Sequence, residues 1–236
     1  MTDYSYPGAE LELYAGARNW KAYWSSMVRP HLGDRVFDVG TGIGSNVELL
    51  HRKGAAWLCI EPDGPQLEMA ADKLARLGIA DTCKVVHGDL SAIPEDEKAD
   101  SIIYIDVLEH IEDDHAELAR AARLLKPGGN LIILSPAYAW LFSPFDEAVG
   151  HFRRYTKATL RAVVPPHLKQ VQLRYLDSVG LLASAGNRLV LKASMPNKSQ
   201  IAFWDRVLVP PSRLVDLLTG YTIGKTVLGV WRLPEV

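Results

Sequence analysis

The sequence predicts an α/β fold in which a mostly parallel sheet carries helices on both faces. Apolar runs of strand length alternate with segments of helical periodicity between residues 34 and 135. In addition, a buried strand at 36–39 runs directly into Gly40, Gly42 and Gly44, and a helical pattern follows. A strand, a glycine loop and a helix in this order hold nucleoside-bearing ligands in α/β proteins.

The first predicted element is a helix over 9–29, which Pro30 ends because proline cannot continue the hydrogen-bond ladder. The elements that follow the glycine loop are a helix at 45–53, strands at 56–61, 82–87 and 100–107, a helix from Asp63 to Gly78, a helix at 112–125, a strand at 130–135, a helix at 157–164 capped by Thr156, and strands at 170–176 and 225–233. Parallel strands joined by helices imply right-handed crossovers.

Residues 178–224 are longer than an ordinary connection. They contain helical patterns around 179–193, 199–208 and 211–219, which we expect prolines 196, 210 and 211 to separate. Because the sequence shows no repeat or linker, we expect a single domain over 1–236. Within it, 1–33 would form an N-terminal helical cap and 178–224 a helical insert near the acceptor pocket.

The bulk composition is that of an ordinary globular protein. Of the 236 residues 48% are hydrophobic, and the net charge of −2 disfavours nucleic acid as a partner. We find neither a secretory signal nor a charge-free stretch long enough to span a membrane. The two cysteines, Cys59 and Cys83, lie in strand-like runs and indicate a reduced, cytoplasmic protein.

The glycine loop favours one ligand over another. Its spacing is Gly-x-Gly-x-Gly, whereas the dinucleotide fingerprint would need glycine at position 45, which is serine. Asp38 stands two residues before Gly40, and a carboxylate there repels a pyrophosphate but attracts a cation. S-adenosylmethionine (SAM) carries an ammonium and a sulfonium and no phosphate. The loop therefore favours SAM over NAD, and an NAD-dependent oxidoreductase is the weaker hypothesis.

Four successive strands each present a carboxylate at their carboxyl ends, where ligands bind in open α/β sheets: Asp38, Glu61, Asp89 and Asp106. Asp38 would face the methionine ammonium, Glu61 would accept both ribose hydroxyls, and Asp89 would accept from the adenine amino group. Any one of them could equally be a helix cap or a surface charge. Four together repel one another unless a cationic or donor-rich ligand sits among them.

At this point the chain resembles the class I SAM-dependent methyltransferases. The matching segments cover residues 34–135 and are 36–44, Glu61, Gly88-Asp89-Leu90, 106–111 and 126–129. The resemblance implies a Rossmann-like sheet of seven strands whose last strand is antiparallel and pairs with the sixth. It also implies SAM contacts from the three loop glycines, Glu61, Asp89, Leu90 and Asp106.

A second group of residues indicates the chemistry: Asp106, Glu109, His110 and His151. It is similar to groupings in small-RNA 2′-O-methyltransferases and, in part, in ubiquinone-pathway O-methyltransferases, where they bind a divalent metal. Here Mg²⁺, Mn²⁺ or Zn²⁺ could lower the pKa of an acceptor hydroxyl. The alternatives are that Glu109 caps a helix and His110 is packed, with His151 as a general base without metal.

The segment after the fifth strand supplies candidate substrate contacts. Arg153 and Arg154 could clamp an anionic group of the substrate, or they could simply pair with acidic residues such as Asp146. Aromatic side chains, Tyr138 and Phe142 among them, could line an apolar acceptor pocket or form core. Tyr14 and Trp20 of the first helix could roof the cofactor, or they could equally serve only to dock that helix.

These residues predict methyl transfer from SAM to a small molecule, with a hydroxyl oxygen favoured because His and carboxylate groups can activate it. Nitrogen and carbon acceptors, including a lipid-linked intermediate, stay open. A non-catalytic SAM-binding or membrane-docking protein is the alternative from another class. The apolar insert suits peripheral membrane contact or a homodimer interface.

Overall fold

The computed structural model describes Tyr14, residues 16–186 and residues 197–235. Its centre is a seven-stranded sheet with the order β3-β2-β1-β4-β5-β7-β6. The strands are β1 Arg35–Val39, β2 Ala56–Glu61, β3 Cys83–His87, β4 Ala99–Ile105, β5 Leu125–Pro136, β6 Lys169–Leu176 and β7 Thr226–Arg232. Strands β1 to β3 are added towards one edge of the sheet, and β4 then lies on the other side of β1. Ligands bind at this point between β1 and β4 in such sheets.

The strand directions confirm the predicted fold class. β1 pairs in parallel with β2 and β4, and β4 pairs in parallel with β5. β7 runs antiparallel to both β5 and β6, so it is the single reversed strand among those described.

Helices cover both faces of the sheet. They are α1 Arg18–Val28, α2 Ser45–Leu50, α3 Gly64–Arg76, α4 Asp114–Leu124, α5 Pro144–Ala148, α6 Lys157–Val163, α7 Ser178–Gly186, α8 Lys198–Phe203 and α9 Val209–Leu218. Two hydrophobic clusters lie beneath them, and adjacent strand residues such as Ile102 and Ile103 belong to different clusters. This alternation follows from the two-residue period of a strand.

Local signals in the sequence place several helix ends correctly. The Asp63 carboxylate accepts from the Gln66 N–H at the start of α3, and the Thr156 hydroxyl accepts from the Thr159 N–H at the start of α6. Other boundaries differ from the prediction. α2 ends at Leu50 rather than 53, and β5 begins at Leu125, where the sequence predicts the helix end. The early part of β5 is held by pairing with its neighbours, since the Gly128 N–H donates to the Leu233 carbonyl.

The predicted break at Pro210 and Pro211 is wrong, because the helical backbone continues from Lys198 to Leu218. Neither proline has an N–H to donate to the carbonyl one turn earlier. The chain adapts by forming a π-helical stretch over Trp204–Leu208, in which the Val209 N–H donates to the Trp204 carbonyl. The wider turn keeps the helix continuous through a sequence that would interrupt a regular α-helix.

Two buried carboxylates join the insert to the N-terminal helix. Asp205 accepts from the Trp20 N–H at 2.9 Å, and Asp216 accepts from the Tyr23 hydroxyl at 2.8 Å. These two hydrogen bonds therefore join the N-terminal helix to the insert above the sheet. Residues 9–13 and 15 of the predicted first helix, and 187–193 of the predicted insert helix, lie outside the described residues. A membrane-spanning helix is not found in the described part of the chain.

Candidate active site

A cavity of about 1120 Å³ lies beside the carboxyl ends of β1 and β4. Its wall includes the glycine loop on one side and Asp106 with His151 on another. α1 and the insert helices close it from above, through Tyr14, Trp20 and Trp204. The cavity thus joins the predicted cofactor loop to the predicted catalytic residues. Tyr14 and Trp20 line its wall, and both rings also pack against Trp204.

The glycine loop has a conformation that side chains would prevent. Gly40, Gly42 and Gly44 all have positive φ, at 65°, 55° and 75°. At Gly40 an added Cβ would lie 2.6 Å from a methyl group of Val107. The loop therefore needs glycine both for its backbone angles and for its close contact with the segment after β4.

Asp38 lies directly behind this loop and is fully buried. Its carboxylate accepts from the Thr41 hydroxyl at 2.7 Å and from the Asn46 amide at 3.0 Å. Burial raises the pKa of Asp38 to about 7, although these two donors act in the opposite direction. Thr41 and Asn46 line the cavity whereas Asp38 does not. The Asp38 carboxylate therefore faces the cavity only through the Thr41 and Asn46 side chains that it orients.

Glu61 occupies the matching position at the end of β2. One carboxylate oxygen accepts from the Gly42 N–H at 2.8 Å and the other from the Asp63 N–H at 3.0 Å. Burial is the main reason that its pKa is raised. Asp89 is exposed and accepts from the Ser91 N–H, and Leu90 is buried. These three predicted cofactor residues lie outside the cavity wall.

Asp106 terminates β4 with a φ of 54°, in the left-handed region that non-glycine residues rarely adopt. Its N–H donates to the Leu134 carbonyl at 2.8 Å, which fixes this turn to β5. The residue is exposed towards the cavity, although protein atoms surround it closely. Desolvation there raises its pKa to about 6, while His151 and Lys225 favour the charged form. Such strain at a strand end is typical of a functional site.

The other members of the predicted group converge. Glu109, His110 and His151 bring one possible ligand atom each within 4.8 Å of one another. The His110 and His151 rings lie 4.5 Å apart, and the His151 Nε2 atom is 4.0 Å from a Glu109 oxygen. Burial raises the pKa of Glu109 well above its usual value and, with His151 nearby, lowers that of His110 to about 4. Desolvated carboxylate and imidazole groups therefore face each other across a short gap.

His151 is oriented by Asp146, which the sequence suggests only as an ion-pair partner. The His151 Nδ1 atom lies 2.8 Å from an Asp146 oxygen, and Arg154 donates to both oxygens of the same carboxylate. Although burial opposes ionisation, the hydrogen bonds from His151 and Arg154 hold the pKa of Asp146 below its ordinary value. The sequence signal that could have indicated a role for Asp146 is Ser143-Pro-Phe-Asp146, a capping box that begins α5.

The predicted substrate contacts lie in different places. Arg154 lines the cavity with its guanidinium on Asp146, whereas Arg153 pairs with Asp114 at 2.6 Å and is outside the wall. Tyr138 stacks on Tyr175 with ring centroids 4.9 Å apart. Like Phe142, it is absent from the residues that line the cavity.

Lys225 is a cavity residue that sequence reasoning missed. Its ammonium lies 3.9 Å from the centroid of the Trp204 ring and 3.4 Å from an Asp177 oxygen. Burial lowers its pKa, and Asp177 opposes that shift. The relevant partners are more than 20 residues apart in sequence, so neither periodicity nor a motif indicates the cluster.

Comparison with known proteins agrees with this architecture. Residues 37–133 match the family described as a methyltransferase domain. A ubiquinone biosynthesis O-methyltransferase of Rhodopseudomonas palustris (strain HaA2) is 32% identical over 166 residues, which are 67% of this chain and 62% of that protein. A demethylmenaquinone methyltransferase of Tropheryma whipplei (strain Twist) is 30% identical over 115 residues, 49% of this chain and 47% of that one.

The fold has relatives among solved structures as well. Geranyl diphosphate C-methyltransferase from Streptomyces coelicolor A3(2) superimposes with a TM-score of 0.66 at 16% identity, covering 98% of this chain and 82% of that one. The chain spans about half to three fifths of the length of the two curated relatives above. Together with the strand order and the glycine loop, these matches show that the chain contains a class I SAM-dependent methyltransferase domain.

Proposed function

We propose that the protein transfers the methyl group of SAM to a hydroxyl oxygen of a small molecule, with His151 as the general base. The observation that carries this proposal is the Asp146–His151 pair. Asp146 accepts from the Nδ1 side of the ring, so the Nε2 atom is left on the cavity side, near Glu109. The glycine loop lines the same cavity, so SAM and an acceptor bound side by side would contact both the loop and His151.

The residues present fit SAM. Thr41 and Asn46, which line the cavity and are oriented by the Asp38 carboxylate, would take the methionine end. Glu61 lies behind the cavity wall on the Gly42 N–H, and it would accept the ribose hydroxyls with its remaining lone pairs if the ligand reaches it past this loop. Gly40 and Gly42 line the cavity, so a ligand there could contact the backbone directly. Asp89 with Leu90 would flank the adenine, and Tyr14 with Trp20 would cover the ligand.

When bound, SAM supplies an electrophilic methyl group on a positively charged sulfur that leaves as a neutral thioether. The acceptor hydroxyl would donate its proton to the His151 Nε2 atom as its oxygen forms the new bond to carbon. Asp146 would stabilise the resulting imidazolium through the 2.8 Å contact at Nδ1. Asp106, open to the cavity, would place negative charge near the sulfonium.

A hydroxyl acceptor must lose its proton during the transfer, and the proposed base His151 suits that requirement. One relative is also named as an O-methyltransferase of ubiquinone biosynthesis. Carbon acceptors stay open, because a structural neighbour is named as a C-methyltransferase. The aromatic and aliphatic side chains Leu141, Phe145 and Val149 in the wall suit an acceptor with an apolar body.

A metal-assisted form of the same reaction is the second candidate. Glu109, His110 and His151 fit a divalent cation, because their ligand atoms converge and one Glu109 oxygen is buried without a hydrogen-bond partner among the described residues. Mg²⁺, Mn²⁺ or Zn²⁺ would be held by these three groups, with Asp106 nearby, and would lower the pKa of the acceptor hydroxyl. Metal analysis after mild purification, followed by assay in chelator, distinguishes the two forms.

The experiment is a transfer assay with methyl-deuterated SAM and a panel of phenols, carboxylic acids, amines and quinone precursors, read by mass spectrometry. We expect a labelled product of the phenol class. Labelled amines alone would contradict the oxygen acceptor. SAM binding by calorimetry with no labelled product from any acceptor would favour a non-catalytic SAM-binding protein.

A further inference from the structure

The outer face of the helix Lys198–Leu218 is apolar where a surface helix is normally polar. Phe203, Val207, Leu214, Leu217 and Leu218 are between 50% and 77% exposed. Within α9 the exposed leucines recur at three- and four-residue steps, so they share one side of the helix.

Three polar residues of the same helix point inward. Ser212 and Asp216 are fully buried, and Asp205 is nearly so. Asp216 accepts from the N–H groups of Asp177 and Ser178 at 2.7 and 2.9 Å, while Ser212 donates to Asp177. Within α9 the buried side chains are therefore partly polar, whereas three leucines are exposed. The exposed leucines are not required for the internal contacts that hold this helix in place.

The charges on this face have one sign. Lys198, Arg206 and Arg213 are exposed, whereas the acidic residues of the helix, Asp205 and Asp216, are buried. In a chain with a net charge of −2, the exposed charged side chains of this helix, over its described residues Lys198–Leu218, are therefore all cations. That combination is typical of helices that lie in the interface of an anionic bilayer.

We propose that this face, comprising Phe203, Val207, Leu214, Leu217 and Leu218 with the basic residues Lys198, Arg206 and Arg213, docks on an anionic phospholipid bilayer. The leucines enter the headgroup region and the cations contact lipid phosphates. Phe203 belongs both to this face and to the wall of the cavity, so docking sets the cavity mouth against the membrane. A second copy fits the face less well, because a two-fold contact would bring the same cations together.

The first test is flotation of the full chain with vesicles of phosphatidylcholine alone or with one third phosphatidylglycerol. We expect the protein to float with the anionic vesicles and to be released as salt is raised. A protein that stays in the soluble fraction with both vesicle types overturns the proposal. The readout needs neither SAM nor turnover, so it is independent of the proposed reaction.

The second test assigns the binding to this face. The double variant Leu217→Glu/Leu218→Glu should weaken vesicle binding by about tenfold or more, because two apolar contacts are replaced by anions. Met69→Glu/Leu77→Glu, which changes exposed apolar residues elsewhere, is the matched control and should bind as wild type does. Circular dichroism verifies that each variant folds.

Equal binding by both double variants would place the membrane contact elsewhere and overturn the proposal. The proposal is also overturned if the wild-type protein does not bind vesicles but forms a concentration-dependent dimer in sedimentation, and Leu217→Glu/Leu218→Glu abolishes that dimer. In that case a second copy covers the face. Arg206→Ala/Arg213→Ala should reduce binding several-fold on anionic vesicles only, which separates the electrostatic contribution from the apolar one.

Discussion

The two sides of the cavity are built differently. On the glycine-loop side, Asp38 and Glu61 each receive two hydrogen bonds from donors within about 20 residues. On the other side, Asp106, Glu109, His110 and His151 come from two separate segments, and possible ligand atoms of the last three lie within 4.8 Å of one another. The first side is held by hydrogen bonds within the protein, whereas the second concentrates titratable groups whose pKa values burial shifts. The difference suggests that one side holds the cofactor and the other carries the chemistry.

The largest effect should come from the chemical side. His151→Ala should lower the rate of methyl transfer by about 10²–10⁴-fold, because the acceptor hydroxyl loses its base. Initial rates with methyl-deuterated SAM measure this. The control is His115→Ala, which removes an exposed histidine from α4. A rate for His151→Ala close to that of the control would remove His151 from the mechanism.

The cofactor side should respond in affinity. Asp38→Ala and Glu61→Ala should each weaken SAM binding by about tenfold or more, since each leaves loop donors without an acceptor. Calorimetric titration measures the dissociation constants. Asp34→Ala, at the opposite end of β1 and paired with Arg52 on the surface, is the control. Unchanged affinity in both site variants would show that SAM binds elsewhere.

The rigidity of the loop can be tested through stability. Gly40→Ala should lower the free energy of unfolding by about 2–3 kcal/mol, because the new Cβ meets both an unfavourable φ and Val107. Gly54→Ala shares the positive φ but has no atom within 4 Å, and should cost about 1 kcal/mol. Urea denaturation compares them. Equal losses would mean that the Gly40–Val107 contact is easily relaxed.

The smallest effect is a pH dependence. Burial raises the pKa of Asp38 to about 7, so the folded apo protein holds a proton that the unfolded chain releases near pH 4. The stability contribution of Asp38 therefore declines as pH rises from about 4 to about 7. A bound ammonium favours the ionised carboxylate, so SAM affinity should increase several-fold between about pH 6 and pH 8. Calorimetry of Asp38→Asn should show that increase abolished, and a persisting increase would assign it to another group.

Residues close together in sequence made the sheet and the cofactor side predictable. The strand at 36–39, the glycine loop and the caps at Asp63 and Thr156 depend on local periodicity and local hydrogen bonds. The Lys225 cluster depends on how distant segments pack, which periodicity does not encode. The Asp146–His151 contact joins residues five apart across the end of α5, where the chain has no regular period to indicate it. The continuous helix through Pro210 and Pro211 was mispredicted because the rule for proline breaks assumes a regular α-helical turn.

The central claim is that the two sides of the cavity divide binding from chemistry. The most direct test is the SAM dissociation constant of His151→Ala measured beside that of Asp38→Ala in the same buffer. His151→Ala should bind SAM within about twofold of wild type, while Asp38→Ala should bind about tenfold more weakly or worse. Equal weakening in the two variants would contradict it, because His151 would then belong to the cofactor site.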